Sequence, residues 1–265
     1  MAHMRYAYGL IGFLIGLFYG LMHETTFIDI AVHAGIGLGF GVVLQVLREK
    51  NQKLLRSHQS SLNALANAVA AKDDETNGHC QRVVRYSVMI GERIGLDARR
   101  MQQLEWGALL HDIGKIAVPD SILKKPSALT DEEWAVMKEH PYMGHLMVKD
   151  IDFIKEGHDV VLHHHERYDG RGYPAQLQGE SIPLLARIFA IADTFDAITS
   201  DRPYRKAQSI EYAREEILKH IGTQFCALCV DAFLRIPVSE LTRVQEESKV
   251  LEYESLKLQK YKNIS

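Results

Sequence analysis

Cysteine is scarce: three among 265 residues, an odd number that builds no disulfide framework and fits a reducing compartment. A surplus of charge is missing too. With 31 basic and 34 acidic residues the formal charge is -3, which offers neither a basic surface for a nucleic-acid polymer nor an unusually acidic one. Between Tyr6 and Met22 there is no charged residue, and the following His23-Glu24-Thr25-Thr26-Phe27 contains neither Lys nor Arg. Apolar residues, by contrast, make up 46% of the chain, enough for a sizeable core and too many for a disordered protein. Histidine is also abundant. Seven of the thirteen fall between His111 and His165, a better pointer to a site than the charge balance.

Met1-Ala2-His3-Met4 resembles a cloning remnant ahead of a second start codon. The uncharged run of about residues 6–22 and a second apolar run, 28–47, are each about long enough to cross a hydrocarbon core of roughly 30 Å. The short connector makes them an antiparallel transmembrane hairpin, residues 1–50. Arg5 precedes it and Arg48, Lys50, Lys53 and Arg56 follow, so the positive-inside rule places both ends in the cytoplasm. A cleaved signal peptide fits less well, because the second run follows closely and no small-residue cleavage site intervenes. The competing reading is a helical hairpin buried in a soluble core. Gly9, Gly12, Gly16, Gly20 and Gly35, Gly37, Gly39, Gly41 suit close helix approach within or between hairpins, a homodimer among the arrangements. Residues 51–72, with Leu54, Leu62, Leu65 and Val69, read as a linker helix.

The body that follows, residues 73–236, is helical by period. Glu75 and His79 are four apart and share a face if helical. Met101 to Leu110 forms an apolar helix ending at His111-Asp112-Ile113-Gly114-Lys115, where Gly114 can stop it. A carboxylate at the rim of an apolar helix needs a partner, and a metal supplies one. Thr130-Asp131-Glu132-Glu133 is a capping box whose helix is expected to turn Trp134 and Met137 inward and to end at His140-Pro141. Of His163-His164-His165, adjacent helical residues point about 100° apart, so three cannot converge easily and one is a bystander. Asp169 to Pro174 is a turn-rich loop. Pro183 opens a helix over 184–199 with Asp193 and Asp196 inside an apolar pattern.

Together Glu75, His79, His111, Asp112, His140, His164, His165 and Asp193 offer imidazole and carboxylate without thiolate. That set suits iron, manganese or zinc in a multinuclear hydrolytic site. Metals roughly 3.5–4 Å apart would share a bridging hydroxide and polarise a phosphoryl oxygen, with Lys115 as a positive donor to the phosphate.

These motifs resemble the HD-GYP phosphodiesterases, a branch of the HD metal-dependent phosphohydrolases. His111 to Lys115 is similar to the HD signature, His164 to Pro174 to the GYP signature, and Ala192 to Arg205 to a third block. The resemblance spans about residues 65–235. It implies an all-α, HD-type helical bundle that hydrolyses cyclic di-GMP to pGpG and/or GMP. It implies metal ligation by His79, His111, Asp112, His140, His164, His165 and Asp193, which leaves His163 as the bystander. It places Glu75 where some members bind a third metal, so two or three divalent ions, iron or manganese foremost, are implied. Tyr173, Arg202 and Arg205 fall where the family contacts substrate. A non-catalytic cyclic di-GMP receptor or scaffold, or a phosphohydrolase acting on another nucleotide, are the alternatives.

One departure is Phe225-Cys226-Ala227, where the family usually has Phe-Asp-Pro. It implies altered local capping without loss of catalysis. Cys226 and Cys229 form a single C-x-x-C, read as helix packing ahead of redox or zinc chemistry. Residues 237–265 are charged, with Leu241, Val244, Leu251 and Leu258 at heptad positions, and read as a partly frayed amphipathic extension.

Overall fold

A computed structural model describes residues 7–22, 26–72, 78–202 and 205–262. Among them every regular element is helical, and extended pairing is limited to isolated bridges such as Asp169 with Gln178. The chain divides into two compact units, residues 1–61 and 62–265.

The first unit holds α1 (Ala7–Met22) and the greater part of α2 (Phe27–Lys72). Thr26 opens α2: its Oγ1 accepts from the Asp29 N–H at 3.4 Å, while its own N–H donates to Asp29 Oδ2 at 3.1 Å. A Cβ on Gly16 would stand 2.1 Å from the His33 carbonyl oxygen, so only glycine lets α1 meet α2 there. Large apolar side chains face outward, including Phe18, Ile28, Ile36 and Phe40, each more than 60% exposed. Among the described residues one helix, Ala31–Lys72, is long and apolar enough to cross a membrane. α1, at 16 residues, is shorter.

In the second unit, α2 from Leu62 onward buries Leu62, Ala66 and Val69. Leu65, expected on this face, is exposed, because positions four and three apart define the buried stripe. Lys72 closes the helix by donating to the carbonyls of Ile116 and Val118 at 2.7 and 2.6 Å. The body comprises α3 (His79–Ile94), α4 (Ala98–Leu110), α5 (Asp120–Leu123), α6 (Asp131–Met137), α7 (His140–Val148), α8 (Gly157–His163), α9 (Leu184–Thr199), α10 (Ile210–Lys219), α11 (Ala227–Leu234) and α12 (Val238–Lys262). The helix expected over 184–199 is α9. It is apolar on nearly every side and is therefore the central element, touching α3, α4, α8, α10 and α11. Phe195 meets Tyr86 of α3 edge-on at 4.9 Å and Phe233 of α11 at 5.1 Å, the rings that fill the middle of the core.

Several helix ends follow the local signals. Gly95, at φ 88°, ends α3, with its N–H on Gly91 and Glu92. Thr130 and Glu133 form the expected capping box of α6. Other expectations are corrected. Trp134 is exposed, since α6 is a two-turn surface helix that stops at Met137. His140 and Pro141 begin α7 instead of ending α6: the fixed φ of proline suits a first turn, where its missing N–H costs nothing. Gly114 does not stop α4 through a left-handed turn. It lets a short 3₁₀ turn, Ile113–Ala117, press on α7, where a Cβ would stand 1.9 Å from the His140 carbonyl oxygen. The start of α12 is packed, not frayed. Leu241, Val244 and Ser248 are buried, α12 lies on α3, and Arg93–Glu240 (3.2 Å) and Arg85–Glu247 (2.6 Å) pair across them. Leu251 and Leu258 have side chains outside the described residues.

α4 and α8 also cross through glycines: a Cβ on Gly107 would meet the Gly157 carbonyl oxygen at 2.6 Å and Val160 at 2.8 Å. Gly107→Ala is expected to destabilise the protein by about 1–3 kcal/mol through overpacking, read as a lowered denaturation midpoint. An unchanged midpoint would mean the two helices separate at no cost.

Candidate metal centre

The site is assembled from helix ends. His79 is the first residue of α3, His140 the first of α7, His111 the residue after α4, and His164 the residue after α8, while Asp193 comes from the middle of α9. Two groups of potential ligands result. In the first, His140, His164 and His165 bring one ligand atom each within 4.8 Å of one another; in the second, His79, His111 and Asp193 do so. Asp112 stands between the groups. Its Oδ1 is 3.3 Å from His140 Nε2 and 3.8 Å from His164 Nε2; its Oδ2 is 3.0 Å from His111 Nε2 and 2.8 Å from Lys115 Nζ.

The ring orientations are set from behind. His111 Nδ1 lies 2.8 Å from the Ala108 carbonyl, His140 Nδ1 2.8 Å from that of Met137, and His164 Nδ1 3.0 Å from that of Val161. A carbonyl only accepts, so each Nδ1 carries a proton and each ring turns its Nε2 inward. His79 is held in the same way by a carboxylate, its Nδ1 2.8 Å from Asp196 Oδ2, leaving Nε2 3.6 Å from Asp193 Oδ1. The Nε2 atoms of His140 and His164 are only 3.2 Å apart in a buried position. Two lone pairs so close repel unless a cation lies between or beside them, and a divalent metal fits this donor set.

Electrostatics match that fit. Burial pushes the His164 imidazole well below its ordinary range, and burial with the neighbouring His140 takes His165 down to about 3, so both are neutral near pH 7, the form a metal would bind. Burial raises the Asp112 carboxyl, but His111 and Lys115 outweigh it and hold the group well below the usual range, hence ionised. Burial likewise opposes a charge on His111, yet Asp112 lifts it to about 9. Without a metal, a proton on His111 serves as the counter-charge to Asp112.

Behind the site sits a pair not singled out in the sequence. Asp196, 1% exposed, accepts from Arg82 Nε at 2.6 Å and Nη2 at 3.0 Å as well as from His79. Its signal was available: Arg82 and Asp196 each lie three residues beyond a ligand, His79 and Asp193, and on the same helix faces. Glu166 is a second such residue, buried and accepting the N–H groups of Ala175 and Leu177 at 2.7 and 3.2 Å. It folds the loop that carries Tyr173. Gly172 is required there, because a Cβ would stand 2.3 Å from the Arg167 nitrogen. Tyr173 stacks on His165 at 4.7 Å, and Lys138, unremarked in the sequence, places its Nζ 5.8 Å from the same ring.

The other expected residues are placed less directly. His163 belongs to neither ligand group. Arg202 and Arg205 pair through their backbones at 2.8 and 3.0 Å just after α9, and the Arg205 guanidinium donates to the Ala197 carbonyl. Glu75 lies outside the described residues.

Residues 63–225, more than half of the chain, match the HD domain family, and the chain belongs to it. The resemblance to its HD-GYP branch is supported by the relatives. The cyclic di-GMP phosphodiesterase response regulator RpfG of Xanthomonas campestris is 43% identical over 179 residues, covering 67% of this chain and 47% of that protein. A cyclic di-GMP phosphodiesterase of Thermotoga maritima is 39% identical over 67% of this chain and 49% of its own length. A 3'3'-cGAMP-specific phosphodiesterase 2 of Vibrio cholerae is 38% identical over 75% and 38%. The chain thus spans about half the length, or less, of the curated relatives it matches. A solved cyclic GMP-AMP specific phosphodiesterase of V. cholerae, V-cGAP3, shares the fold with a TM-score of 0.56 at 20% identity, over 74% of this chain and 52% of that one.

Asp196→Asn leaves the shape of the pair but weakens its hold on the His79 ring. Divalent-metal affinity is expected to fall about 10–100-fold, measured by competition with a chromophoric chelator. Unchanged affinity would remove His79 from the centre.

Proposed function

We propose that this protein is a membrane-anchored, metal-dependent phosphodiesterase that hydrolyses cyclic di-GMP to pGpG and/or GMP. The observation that carries the reading is the convergence of inward-facing Nε2 atoms in two ligand groups on either side of the Asp112 carboxylate. His140, His164 and His165 would hold one ion, His79, His111 and Asp193 another, with Asp112 shared between them. Glu75 is the ligand proposed for a third ion. Iron and manganese are the metals favoured for this set of imidazoles and carboxylates. When bound, the ions supply Lewis acidity toward the phosphoryl oxygen and lower the pKa of the attacking water.

The chain's own groups do the rest. Asp112, ionised and fixed by Lys115, keeps a negative charge at the centre, while Lys115, 13% exposed and 2.8 Å from that carboxylate, presents a cation to an incoming phosphate. Tyr173 offers a ring face beside His165 for a purine, and Arg202 and Arg205 supply guanidinium groups for the second phosphate. Relatives named for cyclic di-GMP support this substrate; those named for 3'3'-cGAMP make that dinucleotide the second reading. Both present two phosphodiesters and two purines.

The outward apolar side chains of α1 and α2, with the close approach at Gly16, support a transmembrane hairpin with the catalytic unit on the cytoplasmic side. The full chain should sediment with membranes and resist alkaline carbonate; release into the supernatant would sink the anchor. His111→Ala with Asp112→Ala should abolish turnover of cyclic di-GMP, followed by chromatography of pGpG and GMP, while helical circular dichroism is kept. Retained turnover would contradict the site, and faster hydrolysis of 3'3'-cGAMP by the unaltered protein would favour the second substrate.

A further inference from the structure

We infer that Cys226 and Cys229 form an oxidisable dithiol, closed to a disulfide by a hydroperoxide, which adjusts the loop carrying Tyr173. The dithiol stands on its own geometry; its effect on turnover rests on the phosphodiesterase reading.

Cys226 is the N-cap of α11, and Cys229 lies in the first turn of the same helix. Both are free thiols in the core. Residues three apart on a helix have Cβ atoms about 5–6 Å apart, and a disulfide needs about 3.5–4.5 Å, a gap that the N-cap residue can close by a small rotation at the helix end. What distinguishes the pair from inert core thiols is Arg187. Its Nη1 lies 3.4 Å from Cys226 Sγ, its side chain is only 9% exposed, and its Nε has no partner. The same Nη1 donates to Glu180 Oε2 at 2.6 Å, so one nitrogen of the guanidinium links that 72% exposed carboxylate to the sulfur. A hydrogen bond from the Cys229 thiol, then the Cys229 backbone N–H and after it Arg187, hold the Cys226 thiol at about 5 against burial, while the thiol contact pushes Cys229 up. One sulfur is thus a thiolate and its neighbour a thiol, the arrangement of an attacking and a resolving cysteine.

The chemistry balances with a hydroperoxide as oxidant. The Cys226 thiolate attacks the O–O bond, giving Cys226 sulfenic acid and releasing hydroxide, or alkoxide from an organic peroxide. The Cys229 sulfur then attacks Sγ of Cys226; the S–S bond forms, the S–O bond breaks, and water leaves with the Cys229 proton. A thiol reductant reverses the closure by exchange.

The pair touches the loop at two places. Gln224 and Thr223, just before Cys226, accept the N–H groups of Tyr168 and Asp169 at 3.2 and 2.8 Å. Glu180, the other partner of Arg187, accepts the Tyr168 hydroxyl at 3.0 Å. Removing the thiolate leaves the guanidinium to Glu180 alone and shifts the helix end, and both changes reach the residues that begin the Tyr173 loop.

The test uses the full chain, purified reduced and metal-loaded, then exposed to hydrogen peroxide. Peptide mass spectrometry should show a Cys226–Cys229 disulfide, reversed by dithiothreitol, while Cys80 stays a thiol. Cys229→Ser should stop at a Cys226 sulfenic acid that dimedone traps. Oxidation of Cys80 ahead of the pair, or dimedone labelling absent from Cys229→Ser, would overturn the dithiol. Cyclic di-GMP turnover should fall roughly tenfold on closure, the lower end of what a lost supporting contact costs at a metal site, and return on reduction. Cys226→Asp, which restores a conventional cap, should stay active and lose peroxide sensitivity. A disulfide that forms with turnover unchanged would overturn the coupling. A protein with no turnover before oxidation would fail the phosphodiesterase reading and leave the thiol result standing.

Discussion

A carboxylate largely withdrawn from water and set among converging imidazoles is the constraint on which this molecule depends. Asp112 is ionised, His111, His140 and His164 stand 3.0, 3.3 and 3.8 Å from its oxygens, and water is largely excluded. Such a cluster costs several kcal/mol unless opposite charge is supplied, which hydrogen bonds among neutral rings cannot do. Lys115 and a proton on His111 offset part of the cost, and divalent cations would offset the remainder. The carbonyls of Ala108, Met137 and Val161 and the Asp196 carboxylate fix the imidazole rings in the one tautomer that suits a metal.

The helices serve that arrangement. Ligands sit at helix ends because an end can turn a side chain toward a neighbouring helix without breaking its hydrogen-bond ladder. Glycines then set the spacing: Gly114 against α7, Gly107 against α8 and Gly172 within the Tyr173 loop each occupy a place where a Cβ would collide with backbone. Arg82 extends the network one layer deeper, binding Asp196 through two nitrogens, so a charge at the bottom of the core holds His79 at the top. The core rings Tyr86, Phe195 and Phe233 keep α3, α9 and α11 rigid around that pair.

Much of this was legible in the sequence because imidazoles and carboxylates in apolar surroundings are chemically conspicuous. Histidines and aspartates at the edges of apolar runs need a reason to be there, and His79, His111, Asp112, His140, His164, His165 and Asp193 fall into two groups about one centre. Local stop and start signals were legible where one residue decides the geometry, as at Gly95 and Thr130. They failed where tertiary contact decides. Pro141, in the first turn of α7, reads equally as the end of one helix and the start of the next. Gly114 looks like a C-cap until α7 is known to press on it, and Trp134 looks like core until α6 proves to lie on the surface. Arg82 and Asp196 each carry a local signal, three residues beyond His79 and Asp193, but 114 residues separate them and only the packing of α3 on α9 makes them a pair.

The account turns on whether the imidazoles and Asp112 hold metal. Elemental analysis of the full chain, loaded with iron or manganese and freed of excess ion, measures this most directly, alongside Asp112→Ala at matched helical content. Two or more tightly held divalent ions per chain in the unaltered protein, falling below one in the variant, is the result predicted here. A folded, unaltered protein that retains less than one ion, or a variant that retains as many as the parent, would contradict it.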